Sequence, residues 1–325
     1  MTNLALPPTV VDETPTLRGI TLASPRALKW QRIAMLLATA LPLIGLVVAM
    51  VQLWGWGISA VDLGLFLGFY TFTGLGITVG FHRLFTHQSF KAPRLVRALF
   101  AVAGSMAIQG SVIDWVATHR RHHAYSDQMG DPHSPHVDAA GGTVGILRGL
   151  WYAHVGWLFA PELTVQKAWA PDLLKDPVVA RVSRNFPWFV AASFVLPALL
   201  GGLITMSLMG ALTGFLWGGL ARIFVLHHVT WSINSICHVF GTRPFESHDE
   251  ARNNAVMALL GFGEGWHNAH HAFPASARHG LRWWEFDASY LVIRSLSGLG
   301  LARDIKLPSP TQMARRKRNK QTLAA

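Results

Sequence analysis

Four apolar stretches dominate the sequence and leave few folds open to it. They cover about residues 33–53, 58–81, 187–209 and 212–229. Each is close to the roughly 20 residues that an α-helix needs to cross a bilayer. A backbone in lipid must satisfy its own hydrogen bonds, so such spans are helices. Short uncharged turns join the first span to the second and the third to the fourth. The sequence therefore predicts an all-α integral membrane protein with four transmembrane helices in two hairpins.

Charged residues indicate which side of the membrane each segment occupies. Only 14% of the residues are charged, and the formal net charge is +11. The turns within the two hairpins carry no lysine or arginine, whereas the N-terminal flank, the middle segment and the C-terminal segment carry nearly all of them. The positive-inside rule therefore predicts that both termini are cytoplasmic. The basic surplus is expected to face membrane lipids, not nucleic acid.

One membrane domain, residues 26–306, is expected between two tails. Residues 1–25 mix Pro, Thr, Asp and Glu without periodicity, which predicts a disordered tail, and residues 307–325 form a basic tail. The stretch from Leu95 to Ile113 begins with two arginines, so we expect an interfacial or partly buried helix there. The lone cysteine, Cys237, excludes an intrachain disulfide and a multi-thiolate metal site.

Histidines are clustered near the cytoplasmic ends of the predicted spans. One segment has the pattern H-x-x-x-x-H and two later segments have H-x-x-H-H. Positions i, i+3 and i+4 share one face of a helix, so three imidazoles can converge there. The candidate metal ligands are His82, His87, His119, His122, His123, His238, His267, His270 and His271. Nine imidazoles exceed the needs of a single zinc, so a cytoplasmic helical cap that holds two metals is the simplest interpretation.

The residue types also limit the kind of metal. Neutral imidazole suits zinc, copper, iron and nickel, whereas calcium and magnesium prefer oxygen ligands. Asn234 lies one helical turn before His238, where its side chain could hold a metal-bound water or orient a ligand. An ordinary helix or cap role for this asparagine is an equal alternative. The remaining histidines are expected to be ordinary surface or core residues: His133, His136, His154, His227, His228, His248 and His279.

The three boxes and the residues around them resemble the integral-membrane fatty acyl desaturases of the stearoyl-CoA Δ9 type. The resemblance runs from about Tyr70 to Lys306, and it includes the motifs His82-Arg-Leu-Phe-Thr-His87, Thr230-Trp-Ser-Ile-Asn234 and Gly263-Glu-Gly-Trp-His-Asn-Ala-His-His271. Only 54 residues follow His271, so we expect a bacterial-type member without a fused cytochrome b5.

This resemblance implies a di-iron centre that uses O2 to remove two hydrogens from a long saturated acyl chain. It implies that the nine histidines are iron ligands and that Asn234 holds a metal-bound water. It also implies that Thr230 and Trp231 line the bend of an acyl tunnel, with Gln109 and Trp115 nearby. Breaking an unactivated C–H bond requires a redox metal, which zinc is not. Electrons would come from a separate donor, a ferredoxin-like protein or a reductase that uses NAD(P)H.

Two departures from the animal members concern the acyl carrier. Those members have an Arg-Lys pair for CoA phosphates where this chain has Phe159-Ala-Pro-Glu162, and a charged pair where it has Ala117 and Thr118. A long-chain acyl-CoA, desaturated at Δ9, is the expected substrate, and an acyl chain on a membrane glycerolipid is the alternative. A di-iron hydroxylase of alkyl or lipid substrates would have similar boxes. A histidine-rich metal transporter would instead place ionisable ligands inside its spans.

Overall fold

The computed structural model describes residues 17–318, and this part of the chain is mostly helical. Four helical segments are long and apolar enough to cross a membrane: Pro25–Gln52, Ala60–Thr86, Phe186–Thr205 and Leu208–Val239. They correspond to the four apolar stretches, which confirms the number of candidate spans. The helix bounds differ most from the predicted ones at two ends. The first segment begins earlier, because the helix includes the basic residues before the apolar run, and the fourth segment ends later.

The spans are built from five α-helices and two π-helical segments. The α-helices are α1 (Pro25–Trp56), α2 (Ala60–Leu75), α9 (Phe186–Thr205), α10 (Leu208–Gly214) and α11 (Arg222–Val239). A π-helix, Gly76–Thr86, continues α2, and a second, Phe215–Ala221, joins α10 to α11. Asp62, the one charge near the start of the second span, forms a capping box with Ser59, which satisfies free backbone N–H groups at the start of α2. π-Helical turns are rare and often occur at functional sites.

Shorter helices lie between and after the spans. They are α3 (Arg94–Ser105), α4 (Val112–Tyr125), α5 (Ile146–His154), α6 (Gln166–Trp169), α7 (Pro171–Lys175), α8 (Pro177–Arg184), α12 (Ala255–Leu260), α13 (His267–Ala272), α14 (Ala288–Gly298) and α15 (Pro310–Arg316). A 3-10 turn covers Gly156–Phe159. As expected, the stretch from Leu95 is not among the candidate spans, since α3 ends at Ser105.

The all-α prediction needs one correction. Strand β1 (Ile20–Leu22) pairs antiparallel with β2 (Glu162–Thr164), with Thr21 opposite Leu163. The indole N–H of Trp169 donates to the carbonyl of Gly19 at 3.1 Å. Residues 17–25 of the predicted disordered tail are therefore ordered by backbone pairing, and the rest of that tail lies outside the described residues, as do residues 319–325 of the basic tail.

A buried arginine ties the fourth span to its neighbours. Arg222 is fully buried, and its guanidinium donates to the carbonyls of Gly218 at 2.9 Å, Ser193 at 3.0 Å and Met106 at 3.2 Å. Helix α11 continues past Arg222 to Val239, and backbone carbonyls satisfy the charged group inside the bundle.

Helix α3 packs closely against the second span at two glycines. A Cβ atom on Gly76 would lie 2.2 Å from the backbone nitrogen of Gly104, whereas a Cβ on Gly68 of the same span would meet nothing within 4 Å. Forcing side-chain atoms into a packed contact costs about 1–3 kcal/mol or more. We expect Gly76→Val to lower the thermal unfolding temperature of the detergent-purified protein strongly and Gly68→Val to leave it nearly unchanged. Equal melting temperatures for the two variants would contradict this packing.

Candidate metal centre

The nine predicted histidines come together in two adjacent clusters. One, called cluster A, consists of His82, His87, His119, His123 and His270, and the other, called cluster B, consists of His122, His238, His267 and His271. Within each cluster, one nitrogen of every ring lies within 4.8 Å of those of all the others. The stacked rings of His123 and His271 join the clusters, with centroids 4.4 Å apart.

Four separate elements supply these side chains. The π-helix that ends the second span carries His82, and His87 follows it directly; α4 carries the second box, the last turn of α11 carries His238, and α13 carries the third box. His119 and His123 are one helical turn apart on α4 and both belong to cluster A, whereas His122 belongs to cluster B. One short helix thus contributes to both sites.

The ring nitrogens point at one another in a way that suits metal ions. The Nε2 atom of His270 lies 3.0 Å from that of His82 and 2.9 Å from that of His123. In cluster B, the Nε2 atoms of His238 and His267 are 3.0 Å apart. The buried Nε2 atoms of His87, His122 and His271 have no hydrogen-bond partner among residues 17–318. Buried polar atoms need partners, and a metal in each cluster would supply one.

Four carboxylates contact the histidines on the side away from the metal positions, and sequence reasoning assigned this role to none of them. Each accepts a hydrogen bond from an Nδ1 atom: Asp131 from His122 at 3.0 Å, Asp127 from His238 at 2.8 Å, Asp249 from His271 at 2.5 Å, and Glu264 from His82. Such partners select the tautomer that leaves Nε2 free for a metal. Asp131 also braces the loop after the second box, since it accepts hydrogen bonds from the backbone N–H groups of Asp127 at 2.8 Å and His133 at 3.1 Å.

Burial keeps five of the box histidines neutral, whereas Asp249 stays charged. Burial holds the pKa of His119, His123, His267 and His270 well below the usual range, and it lowers the pKa of His271 to about 4 despite the nearby Asp249. Burial alone would raise the pKa of Asp249, but the adjacent His271 holds it below its usual value. Metal ligation requires deprotonated imidazoles, so this state suits metal binding.

A cavity of about 840 Å³ reaches the clusters from one side. Its lining includes Asn234, Thr230, Trp231, Gln109 and Trp115, together with one ligand histidine, His119. The amide of Gln109 donates to the hydroxyl of Thr230 at 3.0 Å, and the ring of Trp115 stacks on His119 with centroids 4.8 Å apart. Every residue that the sequence suggested for a tunnel therefore lies on this one cavity, next to cluster A.

Two histidines expected to be ordinary lie against the clusters. His279 is buried, with its ring centroid 4.4 Å from that of His270 and both ring nitrogens without a protein partner. The ring of His133 lies 4.3 Å from that of His122. The expectation for these two was therefore incomplete. Neither is part of an H-x-x-H-H pattern, so spacing offered no signal for them.

A helical bundle with four candidate spans and two adjacent imidazole clusters, one of which borders a cavity of about 840 Å³, defines a class of membrane metalloprotein. Within that class, the family model described as fatty acid desaturase matches residues 58–303. The chain belongs to the fatty acid desaturase family, and it is accordingly an oxidoreductase of lipid metabolism.

Three relatives illustrate the range of substrates in this family. A hex-5-enoyl-[acyl-carrier protein] acetylenase of Moorena producens (strain JHB) is 44% identical over 283 residues, covering 87% of this chain and 88% of the relative. An sn-1 stearoyl-lipid 9-desaturase of Synechocystis is 40% identical over 277 residues, covering 85% and 80%. An icosanoyl-CoA 5-desaturase of Limnanthes douglasii is 40% identical over 243 residues, covering 73% and 63%. Their names include three acyl carriers and two double-bond positions.

Proposed function

We propose that this protein is an O2-dependent desaturase that introduces a cis double bond at Δ9 of a long saturated acyl chain, at a pair of irons held by clusters A and B. The observation that carries this proposal is the position of the two adjacent clusters at a cavity of about 840 Å³ whose lining includes His119 of cluster A. The cavity volume falls within the range of roughly 300–1,000 Å³ common for ligand sites. Membership of the fatty acid desaturase family leads us to expect desaturation, and the geometry indicates where in the fold the reaction would take place.

The nine histidines would hold the two irons, which would supply the redox chemistry that O2 activation and C–H cleavage need. The carboxylates that contact the rings would fix the orientation of the imidazoles. Asn234 lines the cavity one helical turn before His238, and we expect it to hold a metal-bound water there. Trp115 stacks on His119 of cluster A and contacts Phe81 of the second span, with ring centroids 4.8 and 5.8 Å away, respectively.

The cavity has a polar end and an apolar end. The amide of Gln31 on α1 donates to the carbonyls of Leu158 and Ala160 at 3.3 and 3.1 Å, near strands β1 and β2. Farther along the same helix, Met35, Ala38 and Thr39 line the cavity at i, i+3 and i+4 spacing. At a rise of 1.5 Å per residue, Ala38 lies about 10 Å deeper than Gln31. We assign the headgroup to the first end and the acyl methyl end to the second.

Gln109 and Thr230, which are hydrogen-bonded to each other, line the same cavity as Trp231. We assign these three residues to the bend of the tunnel, between the two ends. A bend at a fixed distance from the headgroup selects one methylene pair from many similar ones. Wrongly placed methylenes are then rejected by shape, because a hydrophobic site discriminates by about 1–3 kcal/mol for each methylene.

Charges at the polar end favour an acyl group on a membrane lipid over acyl-CoA. The exposed residues Asp114 and Lys167 and the half-buried Glu162 line the cavity there. Arg121, which also lines it, is buried and donates to the carbonyl of Gly130 at 2.8 Å. CoA carries several phosphate charges, which basic side chains bind best, and two carboxylates would repel them. A neutral ester headgroup fits this mixture better.

The membrane arrangement belongs to the same proposal. Residues 26–306 would form the desaturase domain, with two helical hairpins and a cap of helices that carries the boxes on the cytoplasmic side. Both termini would face the cytoplasm, in keeping with the lysines and arginines outside the hairpin turns. Cysteine accessibility labelling of Gly57 and Met206 variants from the outside of intact cells would test this orientation.

Production of new alkenes in a host without its own desaturase tests the function. Cells expressing the chain should accumulate monounsaturated fatty acids detectable by gas chromatography, and the purified protein should contain iron. Offering labelled stearoyl-lipid, stearoyl-CoA and stearoyl-acyl carrier protein to isolated membranes separates the carriers. Hydroxylated products would favour the hydroxylase alternative, and exclusive use of stearoyl-CoA would contradict the lipid assignment.

The methyl end of the cavity offers a test of substrate length. Ala38→Phe is expected to fill the space next to Met35 and Thr39, so that C18 chains are used at least about tenfold less well relative to C14 chains. Leu37→Phe is a matched control, because Leu37 is 50% exposed on the same helix and does not line the cavity. Product profiles from mixed-chain membranes measure the ratio. An unchanged profile for Ala38→Phe would place the methyl end elsewhere.

A further inference from the structure

We propose that a basic surface on the far side of the third histidine box binds an acidic one-electron carrier protein. This surface, called the C-terminal basic surface, comprises Lys306, Arg315, Arg316 and Lys317. The inference rests on the proposed function, since O2-dependent desaturation consumes electrons. It adds the place where that protein docks and the charge it must carry.

Helix α15 is held directly against the helix that carries the third box. The guanidinium of Arg316 donates to the carbonyl of Ala272, the last residue of α13, at 2.7 Å, and lies over the ring of Phe273. Met313 packs on a cluster of Phe245, Ala269 and Ala272. Residues of the predicted basic tail thus form part of the fold next to the metal centre.

The surface is strongly positive. Lys306, Arg315, Arg316 and Lys317 are all exposed, and three of them line a groove of about 540 Å³ between α13 and α15. One acid borders this surface: the backbone N–H of Glu246 donates to the carbonyl of Arg316 at 2.7 Å. A patch of one sign attracts partners of the opposite sign and accelerates their encounter.

The position of the C-terminal basic surface suits a protein partner better than a lipid headgroup. The fourth span, Leu208–Val239, has 32 residues and is therefore about 48 Å long, whereas the hydrocarbon core is about 30 Å thick. His238 is the penultimate residue of this span, and its Nε2 atom lies 3.0 Å from that of His267 on α13. The span is about 18 Å longer than the hydrocarbon core, so with its uncharged start in the bilayer we expect its His238 end, α13 and the adjoining basic surface to extend past that core.

The surface also allows electron delivery without blocking the substrate. None of its residues lines the 840 Å³ cavity, so an acyl chain and a carrier protein could be bound together. Ala272 directly follows His271, so the contact from Arg316 ends one residue from a predicted ligand of cluster B. Small, transient encounters are typical of redox partners, and four cations around a shallow groove suit such an encounter.

Binding of an acidic plant-type [2Fe–2S] ferredoxin to the full chain in nanodiscs of neutral lipid tests the proposal. Isothermal titration should show that Arg315→Glu combined with Lys317→Glu raises Kd about tenfold or more and that added salt weakens binding to the unmodified protein. The control combines Arg148→Glu and Arg294→Glu, two exposed arginines outside this surface, and should change Kd less than twofold. Arg316 is left intact because it contacts Ala272.

Several outcomes would overturn the proposal. One is a Kd for the Arg315→Glu, Lys317→Glu variant within twofold of the unmodified value. Another is a loss of binding equal to that of the control variant. A third is a difference that arises only in nanodiscs with anionic lipid, which would make the surface a lipid contact. Ferredoxin that binds in the expected way to a protein that makes no alkene would contradict the proposed function and leave the docking surface standing.

Discussion

Replacing His270 by alanine is expected to abolish alkene formation while the protein still folds and inserts into membranes. The Nε2 atom of His270 lies within about 3 Å of those of two other members of cluster A, so its loss removes the centre of that site. We expect His122→Ala to do the same through cluster B. The ligands of one metal site act as a unit, so the loss of either histidine is expected to lower the rate of alkene formation by roughly a thousandfold or more. Fatty acid analysis and iron content of the purified variants measure both effects.

A matched histidine and a metal assay make this prediction specific. His248 has a side chain that is 50% exposed and belongs to neither cluster, so His248→Ala should retain activity and metal. His270→Ala and His122→Ala should each lose the iron of their own cluster, and their elution on size-exclusion chromatography should match that of the unmodified protein. Substantial desaturation by either variant would refute its assignment as a ligand.

Features that depend on local spacing could be predicted from the sequence. The spans follow from apolar length, and the structure has four candidate spans where four apolar stretches occur. The second box shares one face because i, i+3 and i+4 positions do so in any helix, and His119 and His123 lie together on α4 for that reason. The separation of His122 into the other cluster could not be predicted, because it depends on where α13 packs.

Features that depend on contacts between distant residues escaped prediction. The hydrogen-bonded residues Asp127 and His238 are 111 positions apart in the sequence, and Asp249 precedes its partner His271 by 22 positions. Isolated carboxylates of this kind are common in any sequence, so nothing marks them as partners of a ligand. The pairing of β1 with β2 spans a similar distance. His279 comes next to His270 only because the loop after α13 turns back, held by the bond from the His279 backbone N–H to Asp287 at 2.7 Å.

The carboxylates also divide the two clusters into unequal metal sites. In cluster B, three of four histidines donate to an aspartate, whereas in cluster A only His82, of five, has a carboxylate partner. A carboxylate behind an imidazole raises its basicity and strengthens metal binding. We therefore expect a chelator to remove iron in two phases, first from cluster A and then from cluster B. A colorimetric iron chelator added to the reduced protein measures both rates.

Variants assign the two phases. Asp131→Asn keeps an oxygen acceptor for His122 but removes its charge, so it should weaken iron binding in cluster B by about 10- to 100-fold and accelerate only the slow phase. His119→Ala should eliminate the fast phase. Asp176→Asn, which alters a carboxylate that pairs with Arg97 away from both clusters, should change neither rate. A single phase in the unmodified protein, or an Asp131→Asn effect on the fast phase, would mean that the clusters do not differ as their carboxylates indicate.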